Sequence, residues 1–169
     1  MSRFLITILL LVFLQDNFTL TEVVRDYNPI KNQTTMRLLP TQLSGEKDRY
    51  HSLKYSIYYT YPGFVSSLPK EVNFELVSVV KARELNSDLY VVFVVDGKEK
   101  HFSSNRIAMP KPMAGKQWIG ERMVFSIPRE EFMKMAAAET LGVKLGDVSF
   151  EFSESARTSI RSFAKMMEQ

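Results

Sequence analysis

LYVVFVVDGKEKHFS, residues 89–103, is the stretch whose reading decides the fold. Leu89 to Val95 is an unbroken apolar run rich in valine, the kind of segment that suits a buried strand. Asp96-Gly97 interrupts it, and Lys98 to Ser103 follows as a more polar partner. An Asp-Gly pair between two such runs is the strongest short-range hairpin signal, because the tight turn it favours needs positive φ at both residues. The chain is therefore predicted to be built on antiparallel sheet.

The same grammar extends upstream. From Ser52 to Tyr61, Tyr55, Ile57, Tyr59 and Tyr61 alternate with Lys54, Ser56, Tyr58 and Thr60, which gives a strand with one drier face. Pro62-Gly63 ends it. Val72 to Ala82 places Val72, Phe74, Leu76 and Val80 opposite Asn73, Glu75 and Lys81. Val77 and Val79 make the second half apolar on both sides, which predicts a central strand. Thr34 to Leu39 has the makings of an edge strand.

Downstream, Pro110, Pro112 and Gly115 predict a loop over Asn105 to Lys116. Gln117 to Ile127 returns to strand, with Trp118, Val124 and Phe125 as expected core residues. Pro128 then suits a helix start, and Glu130 and Glu131 complement the positive end of the helix dipole. Phe132, Met135 and Ala136 are its expected buried side. Leu141 to Leu145 and Val148 to Phe152 form a second hairpin across Gly146-Asp147, where a leading Gly favours a type II′ turn. Ser153 is a natural N-cap for a last helix. Ala156, Ile160, Phe163 and Met167 form its apolar stripe, and Arg157, Arg161 and Lys165 form a basic stripe expected to face water. The fold class is accordingly α+β: a mainly antiparallel sheet or sandwich of about six to seven strands, a short helix near 129–139, and a C-terminal amphipathic helix near 154–167 packed on it.

The N-terminus carries the clearest functional statement. Arg3 is followed by Phe4 to Leu14, eleven residues with only Thr7 polar, and then by Gln15-Asp16-Asn17. This is the plan of a secretory signal, and the run falls short of the about 20 apolar residues that a membrane-spanning helix needs. Small residues are missing near the expected cut, where Val12, Phe13 and Leu14 stand, so the segment also suits an uncleaved anchor. Residues 1–14 are read as an export signal, 15–50 as a polar arm or linker interrupted by Pro29, Pro40 and Gly45, and 51–169 as one globular domain.

Composition then sets exclusions. The absence of cysteine removes disulfides, zinc-thiolate sites, iron-sulfur clusters and a thiol nucleophile together. The net charge of +3 falls only to +2 without residues 1–14, because Arg3 alone is lost, and this is too small to argue for nucleic acid. Neither His51 nor His101 has a context that marks a catalytic base, and no Gly-x-Ser-x-Gly elbow, His-Glu-x-x-His pair, calcium loop or Gly-rich phosphate loop is present. No catalytic residue, metal ligand or cofactor site is predicted. Met109 and Met113 bracket Pro110 and Pro112, but methionine is first of all a gap-filler.

Two weaker patterns remain. Lys98, Lys100, Arg106, Lys111 and Lys116 against Glu99 alone make a basic stretch that suits an anionic partner such as a membrane surface or glycan. Tyr55, Tyr59 and Tyr61 suit an aromatic surface that stacks on a ring. The reading that follows is an exported domain, periplasmic or secreted, without enzymatic activity, binding a protein or an envelope component. Membrane contact is expected only through an uncleaved signal or the basic stretch. A carrier or sensor of an apolar or aromatic small molecule, and an enzyme using carboxylates or tyrosines in no recognised motif, are the alternatives.

Overall fold

The computed structural model describes residues 23–44, 50–65, 67–80, 91–102, 104–112 and 119–168. The expected export signal over residues 1–14 lies outside them, as do Trp118 and Lys116. Among the described residues are ten strands and two helices. A six-stranded antiparallel sheet has the order β1 (Val23–Asn28), β2 (Gln33–Ser44), β3 (Tyr50–Pro62), β4 (Glu71–Val80), β8 (Ile119–Pro128), β7 (Ser104–Pro112). A four-stranded antiparallel sheet has the order β10 (Val148–Glu151), β9 (Leu141–Leu145), β5 (Val91–Val95), β6 (Lys98–His101). The α+β class and the antiparallel pairing stand, with more strands than the sequence suggested.

The Asp-Gly hairpin forms as read. Asp96 and Gly97 both take positive φ, 47° and 76°, and β5 pairs with β6 from Val95↔Lys98 to Val92↔His101. At the second hairpin Gly146 takes φ 61°, the value a leading turn glycine needs, and Val148 pairs with Leu145. The two hairpins join through β5 and β9, in register from Val95↔Leu141 to Val91↔Leu145. Asp96 secures this seam: its Oδ1 accepts the Thr140 backbone N–H at 2.8 Å, and its own N–H donates to the Thr140 carbonyl at 3.0 Å.

Two expectations are corrected. Residues 23–44, read as part of an arm with an edge strand at Thr34 to Leu39, form β1 and β2; the strand over Thr34 to Leu39 is present within β2 but lies between β1 and β3, pairing with β3 along most of its length. Their alternation is obscured because β1 is an edge strand with mostly exposed residues and β2 carries register shifts at Leu38/Thr41 and Gln42/Ser44. Asn105 to Pro112, within the stretch Asn105 to Lys116 read as loop, belong to β7, which pairs with β8. Pro110 and Pro112 are tolerated because β7 ends the sheet, with no partner on its other side among the described residues, and the pairing shifts register between Met109 and Pro112.

The sheets face each other across one core. Phe93 of β5 meets Phe74 of β4 and Phe125 of β8 edge-on, with ring centroids 5.0 and 5.5 Å apart. Phe152 closes the same cluster against Phe74 and Tyr55. Each such buried ring contributes about 1.5–3 kcal/mol by leaving water, and each edge-on pair about 0.5–1.5 kcal/mol more. Val124, expected in this core, is buried on the opposite face of β8, since neighbours on a strand point to opposite sides.

The helices cover the rest. α1 (Arg129–Ala137) buries Phe132, Met135 and Ala136, as its spacing predicts. α2 (Glu154–Lys165) is capped by Ser153, whose side chain accepts the Ala156 N–H at 3.2 Å, and it buries Ala156, Ile160, Phe163 and Ala164. Phe163 touches Phe132 and Tyr59, so α2 binds α1 to the six-stranded sheet. The stripe expected to face water is partly a fastening. Arg161 donates to the Ala138 carbonyl just beyond α1 at 3.2 Å, and Arg157 donates to the Phe152 carbonyl at 3.1 Å. Both also pair with Glu154.

Candidate functional site

The tyrosines singled out in the sequence are buried, and the described basic residues stand on two different strands. Tyr55, Tyr59 and Tyr61 all point into the core and offer no aromatic surface. Their alternation is real, but it marks the dry face of β3. Burial raises the Tyr55 hydroxyl to about 12, partly opposed by hydrogen bonds with Thr41 and Ser159, and the hydroxyl donates to the Ala156 carbonyl at 3.2 Å. Tyr55 thus ties β3 to α2 as a neutral phenol. Tyr58, on the opposite face, carries the Arg37 guanidinium 4.4 Å over its ring.

The basic stretch is divided between the sheets. Lys98 and Lys100 stand on β6 of the four-stranded sheet, whereas Arg106 and Lys111 stand on β7 of the six-stranded one. Lys100 pairs with Glu131 of α1 at 3.1 Å, and Lys144 of β9 pairs with Glu99 at 2.5 Å. His51 is on β3 and His101 on β6, again in different sheets. Among the described residues no three of the metal-ligating types His, Cys, Asp and Glu gather.

A polar cluster that sequence reasoning missed sits on the outer face of the six-stranded sheet. Glu75, only 7% exposed, receives Arg122 Nε at 2.6 Å on Oε1, and Arg122 Nη2 and Arg37 Nη1 at 3.1 Å each on Oε2. Arg37 also donates to Ser56 Oγ at 3.1 Å. Burial alone would raise the Glu75 carboxyl, but the Arg122 and then the Arg37 guanidinium more than offset this and hold it below the ordinary carboxylate range. Glu75 was visible as a lone acid among apolar neighbours; its partners lie 38 and 47 residues away, beyond any local pattern. Across the sheet, Glu121 and Ser78 are paired residues buried on the core side.

The second missed feature is apolar. Among the described residues, the large hydrophobic side chains more than half exposed are Ile30 (95%), Phe64 (61%), Val65 (83%) and Leu68 (61%). All four stand on two loops, the β1–β2 turn and the β3–β4 connection. The loops are neighbours: Gly63 N–H donates to the Asn32 carbonyl at 2.8 Å, and the Phe64 ring lies on Tyr27 with centroids 3.8 Å apart. Thr34 Oγ1 and an Arg25 guanidinium nitrogen donate to the Gly63 and Phe64 carbonyls. The β1–β2 turn is held from within, since Asn28 Oδ1 accepts the Ile30 and Lys31 N–H groups at 3.0 and 3.1 Å and Tyr27 donates to Asn32 Oδ1 at 3.0 Å. Isolated exposed apolar residues are ordinary, whereas four of them on two neighbouring loops are not. The signal was present in PGFVSSLPK, residues 62–70, where apolar residues occupy a segment bounded by turn formers.

A third feature is a cleft of about 370 Å³ on the four-stranded sheet, lined by Val94, Leu141, Gly142, Val143, Phe150 and Arg157 among others. Gly142 keeps it open and close-packed at once: a Cβ there would stand 3.1 Å from the Phe150 carbonyl oxygen. No family model matches the chain, and neither a curated protein nor a solved structure matches it.

Proposed function

We propose that this domain is a non-enzymatic binding module that works outside the cytoplasm and engages a component of the cell envelope through the paired-loop end of the six-stranded sheet. The observation that carries the proposal is the concentration of Ile30, Phe64, Val65 and Leu68 on two neighbouring loops, while the other large apolar side chains described are mostly buried. Surface of this kind is costly to leave in water, and covering it on a partner supplies the driving force for association. Glu75, Glu131 and Glu154 are engaged by basic side chains, which supports a structural role for them over an acid-base one. Export is supported by the charge and hydropathy plan of residues 1–14.

The test has two parts. Producing cells are fractionated and the mature N-terminus is sequenced, and the purified protein is sedimented with isolated envelopes. The expected result is an extracytoplasmic protein whose envelope binding is lost in a combined Ile30→Ser, Phe64→Ser, Val65→Ser variant. A cytoplasmic protein retaining Met1, or envelope binding indifferent to the three substitutions, overturns the proposal. The cleft beside Gly142 favours a second reading, a carrier of a small apolar molecule, which saturable binding of such a compound, weakened by Gly142→Ala, would support.

A further inference from the structure

We propose that the envelope component is the lipid itself: the two loops seat on an anionic bilayer, with Ile30, Phe64, Val65 and Leu68 entering its interface and Lys31 and Lys70 at headgroup level. This rests on the binding-module reading above and deepens it. The first argument is shape. Ile30 at 95% and Val65 at 83% exposed stand clear of their own protein, so burying them requires a medium that closes around each side chain separately. Lipid does this without prior complementarity, whereas a protein partner needs a hollow matched to every projection.

The second argument is charge. Residues 29–32 hold Lys31, residues 63–70 hold Lys70, and neither segment holds an acid. The nearest acids in sequence, Asp26 and Glu71, belong to β1 and β4, and Glu71 accepts a hydrogen bond from Ser126 at 2.5 Å. Two lysines flanking four exposed apolar side chains complement a negatively charged headgroup layer over an apolar interior. The third argument is rigidity. The Asn28 and Tyr27 hydrogen bonds hold the β1–β2 turn, and the Gly63 hydrogen bond and the Tyr27–Phe64 ring contact hold the start of the β3–β4 connection, so less ordering is required there on binding.

The chain has no cysteine, which permits a single reporter. Full-length protein carrying Val65→Cys labelled with an environment-sensitive fluorophore is mixed with protein-free vesicles of phosphatidylcholine alone or with phosphatidylglycerol. The same label at Glu151→Cys, on β10, serves as the control. The expected result is a blue shift at position 65 and none at 151, with binding about tenfold or more tighter on the anionic vesicles and weakened by salt. Ile30→Ser with Phe64→Ser should reduce binding by about tenfold or more, with an unchanged circular dichroism spectrum. The label at position 65 reports loop insertion whatever else in the chain meets the vesicle. No shift at position 65, or a shift equal on neutral and anionic vesicles, overturns the inference. If loop-dependent binding is seen on isolated envelopes but not on protein-free vesicles, the lipid assignment falls and the binding-module reading stands.

Discussion

The two sheets share one core and are specified differently. In the four-stranded sheet both hairpins are closed by two-residue turns, Asp96-Gly97 and Gly146-Asp147, and only the β5–β9 seam joins distant residues. In the six-stranded sheet, β4 pairs with β8 from Glu71↔Pro128 to Val80↔Ile119, and a buried acid on β4 is satisfied by arginines on β2 and β8. Each sheet thus has one seam between strands distant in the chain, β5–β9 in one and β4–β8 in the other. The difference is that the six-stranded seam also carries a buried acid whose arginine partners lie 38 and 47 residues away, whereas the four-stranded sheet is set by its two tight turns.

Phe93→Ala removes the ring that joins the sheets and should cost about 3–5 kcal/mol, the largest effect expected of any single change here. Chemical denaturation measures it, and a loss under 1 kcal/mol would mean that the sheets hold together by other means. Glu75→Gln leaves two part-buried guanidinium groups facing an amide and should cost about 2 kcal/mol, moderated by the water that reaches both arginines. Because the folded carboxyl is held below its unfolded value, its contribution is complete above about pH 4.3 and is lost as pH falls through the folded value. The variant should therefore lose less stability than the parent on acidification. Gly97→Ala meets no atom within 4 Å but must adopt φ 76°, so a purely local cost of about 1–2 kcal/mol is expected. Ser153→Ala removes the α2 cap for about 1 kcal/mol. Hydrogen exchange sharpens the contrast between sheets: Glu75→Gln should speed exchange in β2–β4 and β8, and Gly97→Ala in β5 and β6. Equal acceleration of both sheets by both variants would make them one cooperative unit.

Legibility followed the distance in the chain between the residues involved. The Asp-Gly and Gly-Asp turns, the Ser153 cap, the Phe132, Met135, Ala136 face and the central position of β4 were all readable, because each depends on residues a few places apart. β1 and β7 were not, since edge strands need bury neither face and can carry prolines. The tyrosines of β3 alternated as read, yet alternation cannot say whether the shared face is core or surface. Of the candidate site, Phe64, Val65 and Leu68 stood in plain view as apolar residues in a loop. Their meaning depended on Ile30, brought beside them only by the β2–β3 pairing of Gln33 with Pro62.

The prolines of β7 carry one more consequence. A free sheet margin is a template, offering amide and carbonyl groups to any extended chain that drifts past. Pro110 and Pro112 have no amide hydrogen to offer, so the β7 margin is a poor primer for fibrillar growth, whereas Val23–Asn28 on β1 contains no proline. Any strand-by-strand aggregation of this sheet should accordingly be one-sided, starting from β1.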